Sequence, residues 1–157
     1  MPTQDNRNKS FIVYKASAGS GKTFQLAVAY IRICLQYFGQ GSFIFRKILA
    51  ITFTNKAVGE MKSRIHFFLR CLSLPEGRLD KNGRKQRADI LPLLADICSE
   101  EELSRRADTI LKNILADYSR FSVITIDKFY QQVVHAFAFE LNLPANYRLE
   151  LDEQLFT

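Results

Sequence analysis

The chain has 157 residues, enough for one domain with a real core, and an apolar share of 47% excludes a disordered chain. No apolar run reaches the length of a membrane span, and the polar start MPTQDNRNKS has no apolar signal-peptide core, so a cytoplasmic protein without a membrane partner is expected. A net charge of +6 permits a polyanionic partner without requiring one.

Residues 1–10 read as a disordered lead-in. An apolar, β-prone run at 11–15, FIVYK, then enters a loop of small residues: Ala16, Ser17, Ala18, Gly19, Ser20 and Gly21. Lys22 and Thr23 follow, and a helical pattern covers 22–38. Strand, small-residue loop and helix start form the context that a phosphate-binding loop needs. A di- or triphosphate is a dense negative charge that wants several converging donors. Small residues let backbone N–H groups approach it, and the helix start adds free N–H groups and a favourable dipole. In that reading Lys22 reaches the β- and γ-phosphates of ATP, and the Thr23 hydroxyl ligates Mg2+. Ala16 stands where the strict G-x-x-x-x-G-K-[ST] pattern has glycine. The bland alternative is a Gly/Ser turn followed by a chance lysine.

The next strand is expected at 47–54, KILAITFT. Its apolar core is continuous rather than alternating, which suggests a parallel strand covered on both faces. Thr54 or Asn55 can cap the helix that follows. In that helix Ala57, Met61, Ile65 and Phe68 recur at helical spacing, with Lys56, Lys62 and Arg64 off the stripe. Residues 72–118 change character and read as a helical insertion between sheet elements. The insertion comprises a basic, solvated loop through 78–87 and helices at 88–98 and 100–118. A third strand at 122–127, SVITID, leads into a helix at 128–141 whose stripe is Phe129, Val133, Ala136 and Phe137. Cys34, Cys71 and Cys98 are odd in number, widely spaced and without a metal or disulfide pattern. The expected fold is α/β: a partial RecA-like P-loop NTPase domain with a parallel sheet, divided between 11–71 and 119–157 by the helical insertion.

Single-stranded DNA offers backbone charge and open base faces, so a surface that binds it wants hydroxyls, amides, cations and exposed aromatics together. The loop after the second strand supplies Thr52, Phe53, Thr54, Asn55 and Lys56, and the end of the third strand supplies Thr125, Asp127 and Phe129. Ligands of open parallel sheets bind outside the carboxyl ends of the strands, which is where these loops fall. The competing reading makes Phe53 a core residue and Asn55 a simple cap. The residues alone leave both open. His66 and His135, each on a helix, read as structural or surface residues.

Three stretches together resemble the UvrD/Rep-like superfamily 1 DNA helicases. ASAGSGKT at 16–23 is similar to their motif I, ILAITFTNKAVGEMKSRI at 48–65 to motif Ia, and VITIDKFYQQVV at 123–134 to motif Ib. The phosphate-loop wording and the helix after Asp127 are closest to the RecB/AddA branch. The resemblance implies ATP- and Mg2+-dependent translocation on single-stranded DNA with 3′→5′ polarity, and base stacking by Phe53. It also implies further motor domains on the same chain, with a nuclease or a recombination partner subunit. Asp127 departs from the family, which shows His there. Motifs II to VI are not found, and Asp152-Glu153 reads as surface acids rather than the acidic pair of motif II. The chain therefore resembles the N-terminal piece of a larger helicase, expected to be inactive alone. The competing classes are a P-loop kinase or other nucleotide-binding enzyme, and a module that only binds nucleic acid.

Overall fold

The structure, a computed structural model, describes residues 21–41 and 43–138. The expected strand at 11–15, the loop residues Ala16, Ser17, Ala18, Gly19 and Ser20, and the acids Asp152 and Glu153 lie outside the described residues.

Helix α1 (Lys22–Gln36) is followed by short 3-10 turns and strand β1 (Ala50–Thr52). Helices α2 (Asn55–Ser73), α3 (Lys81–Leu94) and α4 (Glu100–Ala116) come next, then β2 (Val123–Thr125) and α5 (Ile126–Ala136). The described fold is thus mixed α/β, mostly helical, with β1 and β2 paired in parallel. A parallel pair with helical crossovers is consistent with a RecA-like sheet.

Helix α2 is the hub and touches α1, α3, α4 and both strands. Its buried face, Met61, Ile65, Phe68, Leu69 and Leu72, closes on Ala27, Ile31 and Leu35 of α1 and on Leu103, Ile110 and Ile114 of α4. Side chains of the helical block also finish the helices they pack on. Arg106 donates to the Leu35 carbonyl at 3.0 Å, and the Ser104 hydroxyl donates to the Ser73 carbonyl at 3.1 Å. Arg87 donates from one nitrogen to the carbonyls of Cys71, Leu72 and Leu74 at 2.7, 2.9 and 3.0 Å, and from another to Glu100 at 2.9 Å. These carbonyls at the end of α2 have no partner within the helix, so an arginine there answers acceptors that burial would otherwise orphan.

The structure corrects several expectations. The basic stretch 78–87 is not a loop beyond Asp80, because α3 already begins at Lys81. The Asp80 carboxylate accepts the Gly83 N–H at 2.8 Å. Gly83 is well placed for this close cap, since a Cβ there would lie 2.9 Å from the carboxylate oxygen and 3.3 Å from Leu79. Helix α3 stops at Leu94 rather than at residue 98, with Pro92 inside its last turn. Strand β1 spans only Ala50–Thr52, because Ile44–Lys47 coil into a 3-10 turn. Of the two described strands β2 is buried at every position, whereas in β1 Ile51 is 43% exposed, so one face of that strand is open. The last helix starts at Ile126, two residues earlier than expected, because Thr125 caps it.

Candidate nucleotide and nucleic-acid interface

Helix α1 begins where a phosphate loop would deliver it. Gly21 is its N-cap in the left-handed conformation (φ 81°), which glycine adopts at no steric cost. Gly21 has no side chain to cap the helix, and the first turn carries no acid. Among the described residues the other four α-helices each start with a side-chain cap: Thr54, Asp80, Ser99 or Thr125. The positive end of the α1 dipole is therefore not answered by a side chain of its own first turn. Lys22 is exposed and Thr23 half-buried, both in that turn.

The second group gathers at the carboxyl edge of the parallel pair. Thr52 stands opposite Thr125 in the register. Neighbouring strands lie about 4.8 Å apart, so α2 and α5 leave from adjacent points. The Thr54 hydroxyl accepts the Ala57 N–H at 3.1 Å, and the Thr52 hydroxyl donates to the Thr54 carbonyl at 3.2 Å. Between these two bonded threonines Phe53 projects outward, 84% exposed. The choice between a core phenylalanine and a displayed one is thereby resolved in favour of display. Asn55 and Lys56 are exposed in the first turn of α2, and the capping role belongs to Thr54.

The residues from the third expected strand are less alike. Asp127 is exposed at the start of α5. Phe129 is half-buried, its ring edge-on to Tyr130 with centroids 5.9 Å apart. Thr125 is 8% exposed, and its hydroxyl accepts the Lys128 N–H at 3.3 Å, so its side chain serves the helix.

A further feature, inside the stretch similar to motif Ia, lies two turns into α2. The Lys62 ammonium sits 4.8 Å from the ring centre of Tyr118 and 5.5 Å from that of Phe121. The one signal in the sequence is spacing, since Lys62 follows Asn55 by seven residues, two helical turns.

Comparison with known proteins gives the lineage. The family described as UvrD/REP helicase N-terminal domain matches residues 3–156. RecBCD enzyme subunit RecB of Escherichia coli is 29% identical over 161 aligned positions, covering 99% of this chain and 12% of that protein. The RecB protein of Chlamydia trachomatis is 35% identical over 130, covering 82% of this chain and 11% of the relative. An ATP-dependent helicase/nuclease subunit of Streptococcus thermophilus is 30% identical over 145, covering 92% and 9%. The chain thus spans about a tenth of the length of these relatives. No solved structure matches it. A family match that runs nearly end to end, with homology to RecB and to helicase/nuclease proteins, settles the lineage: the chain belongs to the UvrD/REP helicase N-terminal domain family.

Proposed function

We propose that the chain forms the nucleotide-gripping and strand-gripping part of the first motor domain of an ATP-dependent DNA helicase that acts in repair or recombination. In this reading it moves 3′→5′ on single-stranded DNA together with further motor domains. The observation that carries the reading is Phe53, a large apolar ring held in water between two bonded threonines at the carboxyl edge of a parallel sheet. A ring in that position gains nothing from the core and is available to stack on a base.

The residues at the start of α1 fit a Mg2+-nucleotide. Gly21 leaves the helix end without a side-chain cap, and Lys22 and Thr23 lie in its first turn. With Ala16, Ser17, Ala18, Gly19 and Ser20 of the preceding loop, they would hold the phosphates, with Thr23 as the protein's metal ligand. Bound ATP supplies the hydrolysis that drives stepping. The chain's own residues bind and orient: Lys22 answers phosphate charge, Phe53 offers a stacking face, and Asn55 and Lys56 offer an amide and a cation to the backbone. Thr52, Thr125, Asp127 and Phe129 complete the strand path, Thr125 through its backbone position. RecB is by its name part of the RecBCD enzyme, so a partner protein or nuclease belongs to the same proposal for the full-length protein.

Fluorescence anisotropy with a labelled oligothymidylate tests the reading. Phe53→Ala should weaken binding by about 1–3 kcal/mol, the range for lost base stacking. Unchanged affinity with a lower melting temperature would return Phe53 to a structural role.

A further inference from the structure

The basic stretch that the sequence presents as a solvated loop is, from Lys81 onward, the first half of α3. Lys81, Arg84 and Lys85 recur at three- and four-residue spacing, so they share one face of that helix. It is the exposed face, opposite the buried Gly83, Ile90 and Leu94. Arg78, in the turn just before the helix, is exposed as well.

Among the described residues none of these four cations forms an ion pair. The other cations of the helical block do: Arg87 pairs with Glu100, Arg105 and Arg106 with Glu102, and Lys112 with Asp108. Asp80 caps the helix by accepting the Gly83 N–H at 2.8 Å, and the neighbouring acids Glu76 and Asp89 reach none of the four. The first turn of α3 carries no acid, and Lys81 stands there against the positive end of the helix dipole, whereas α4 opens with three glutamates. Like charges gathered on one face, at the helix end that disfavours them, leave a demand for an outside anion.

The chemistry of the face narrows the anion. Sites for single strands join cations to aromatic stacking faces, and residues 69–117 contain no aromatic residue. A protein partner wants an apolar anchor at the centre of its interface, and no exposed large apolar residue falls between Arg78 and Arg87. What remains suits a duplex, whose bases are stacked inside and whose phosphates line the outside. Position separates the face from the sheet edge. Arg87, two residues after Lys85, bonds the carbonyls that end α2, whereas Phe53 precedes the start of that helix. The length between them is about 28 Å, or roughly eight base-pair steps.

We propose that the basic face at the start of α3 binds the phosphate backbone of duplex DNA, as a second nucleic-acid surface distinct from the Phe53 edge. It goes beyond the strand-binding reading and does not depend on it. Where both hold, the two surfaces stand far enough apart to take the double-stranded and single-stranded arms of one junction.

The test is the salt dependence of binding between the full chain and a labelled blunt-ended duplex. Each phosphate contact on B-DNA contributes about 0.9 to the slope of log affinity against log salt. The triple variant Lys81→Gln, Arg84→Gln, Lys85→Gln should lower that slope by about 2.7, and each single variant by about 0.9. Arg84→Lys keeps the charge and should keep the slope. Affinities for oligothymidylate and ADP should be nearly unchanged in all of them, and Phe53→Ala should spare the duplex. Duplex slopes unchanged in the glutamine variants, folded by circular dichroism, would overturn the proposal, as would a wild-type chain that binds no duplex. Equal losses of duplex and oligothymidylate would overturn it by merging the face with the single-strand path. Polyglutamate that displaces the duplex, and is itself lost in the triple variant, would assign the face to an acidic protein instead. Duplex binding that depends on these cations, in a chain that ignores oligothymidylate, would uphold the face and remove the Phe53 reading.

Discussion

Thr52 and Thr125 face each other across the parallel pair, yet they end their strands differently. Thr125 caps α5 directly, whereas Thr52 hands over to Thr54, which caps α2 after a two-residue step. The extra step is what brings Phe53 out of the sheet. Thr125→Val should therefore cost about 1 kcal/mol of stability through loss of the cap, and Thr54→Ala about 0.5–1 kcal/mol. Phe53→Ala should stay within about 0.5 kcal/mol of wild type, as for an exposed surface residue. Urea denaturation of the three variants measures all of this, and a large loss for Phe53→Ala would show packing that its exposure denies.

Lys22→Ala should leave the fold intact and weaken Mg-ADP binding by about 1.5–3 kcal/mol, the usual worth of hydrogen bonds to a charged group. That is roughly a 10- to 150-fold rise in Kd by isothermal titration calorimetry. Gly21→Ala is a control of a different kind. A Cβ there meets nothing nearer than the Phe24 Cβ at 4.0 Å, so its cost is conformational, from φ of +81°. A loss of about 1–2 kcal/mol in stability is expected.

Arg87→Ala should be among the most damaging single changes on the polar surface. It leaves three carbonyls at the end of α2 unanswered and frees Glu100. A loss of about 3 kcal/mol is expected from the removed charged hydrogen bonds and the orphaned acceptors. Arg87→Lys should recover little of it, because an ammonium cannot span the carbonyls and the carboxylate as the guanidinium fork does. Thermal denaturation of the two variants decides this, and a fully stable Arg87→Lys would reduce the contact to a simple charge effect.

The cysteines give a readout of local opening. Burial pushes the Cys34 thiol up to about 12 and raises Cys71 and Cys98 as well. Thiolate is the reactive form, so all three should alkylate slowly near neutral pH in the folded protein. Cys98, the one with measurable exposure, should react first, and Cys34 only on unfolding. Mass spectrometry after timed maleimide treatment checks the order; Cys34 reacting ahead of Cys98 would mean that α1 detaches locally.

Much of the site is legible in the sequence because its residues act through local backbone chemistry. The start of α1 follows from Gly21, Lys22 and Thr23, and the start of α2 from the Thr54/Asn55 pair, since caps declare themselves within a few positions. The start of α4 is equally plain from Ser99 and its three glutamates, whereas its end comes at Ala116, two residues before the expected 118. Helix α3 escapes a sequence reading because its first two turns, Lys81 to Arg87, carry almost no apolar residue to show a period, and Asn82-Gly83 imitates a turn. Arg87 and Lys62 look like solvated charge in the sequence because their roles depend on partners far along the chain: the end of α2 for one, the Tyr118 and Phe121 rings for the other. Phe53 cannot be decided from its neighbours, because an apolar residue between strand and helix faces in or out according to the turn geometry.

Helix α2 also has mechanical meaning. Its 19 residues form a rod about 28 Å long. One end carries Phe53 and the Thr54 cap, and the other is gripped by Arg87 and Ser104 of the helical block. Pivoted at the gripped end, a tilt of about 5° would swing the tip by about 2.5 Å over that length. A displacement of that size is enough to make or break a stacking contact. The helical block thus fixes the end of α2 farthest from the Phe53 loop, and Arg87→Ala is expected to loosen that end, about 28 Å from the ring.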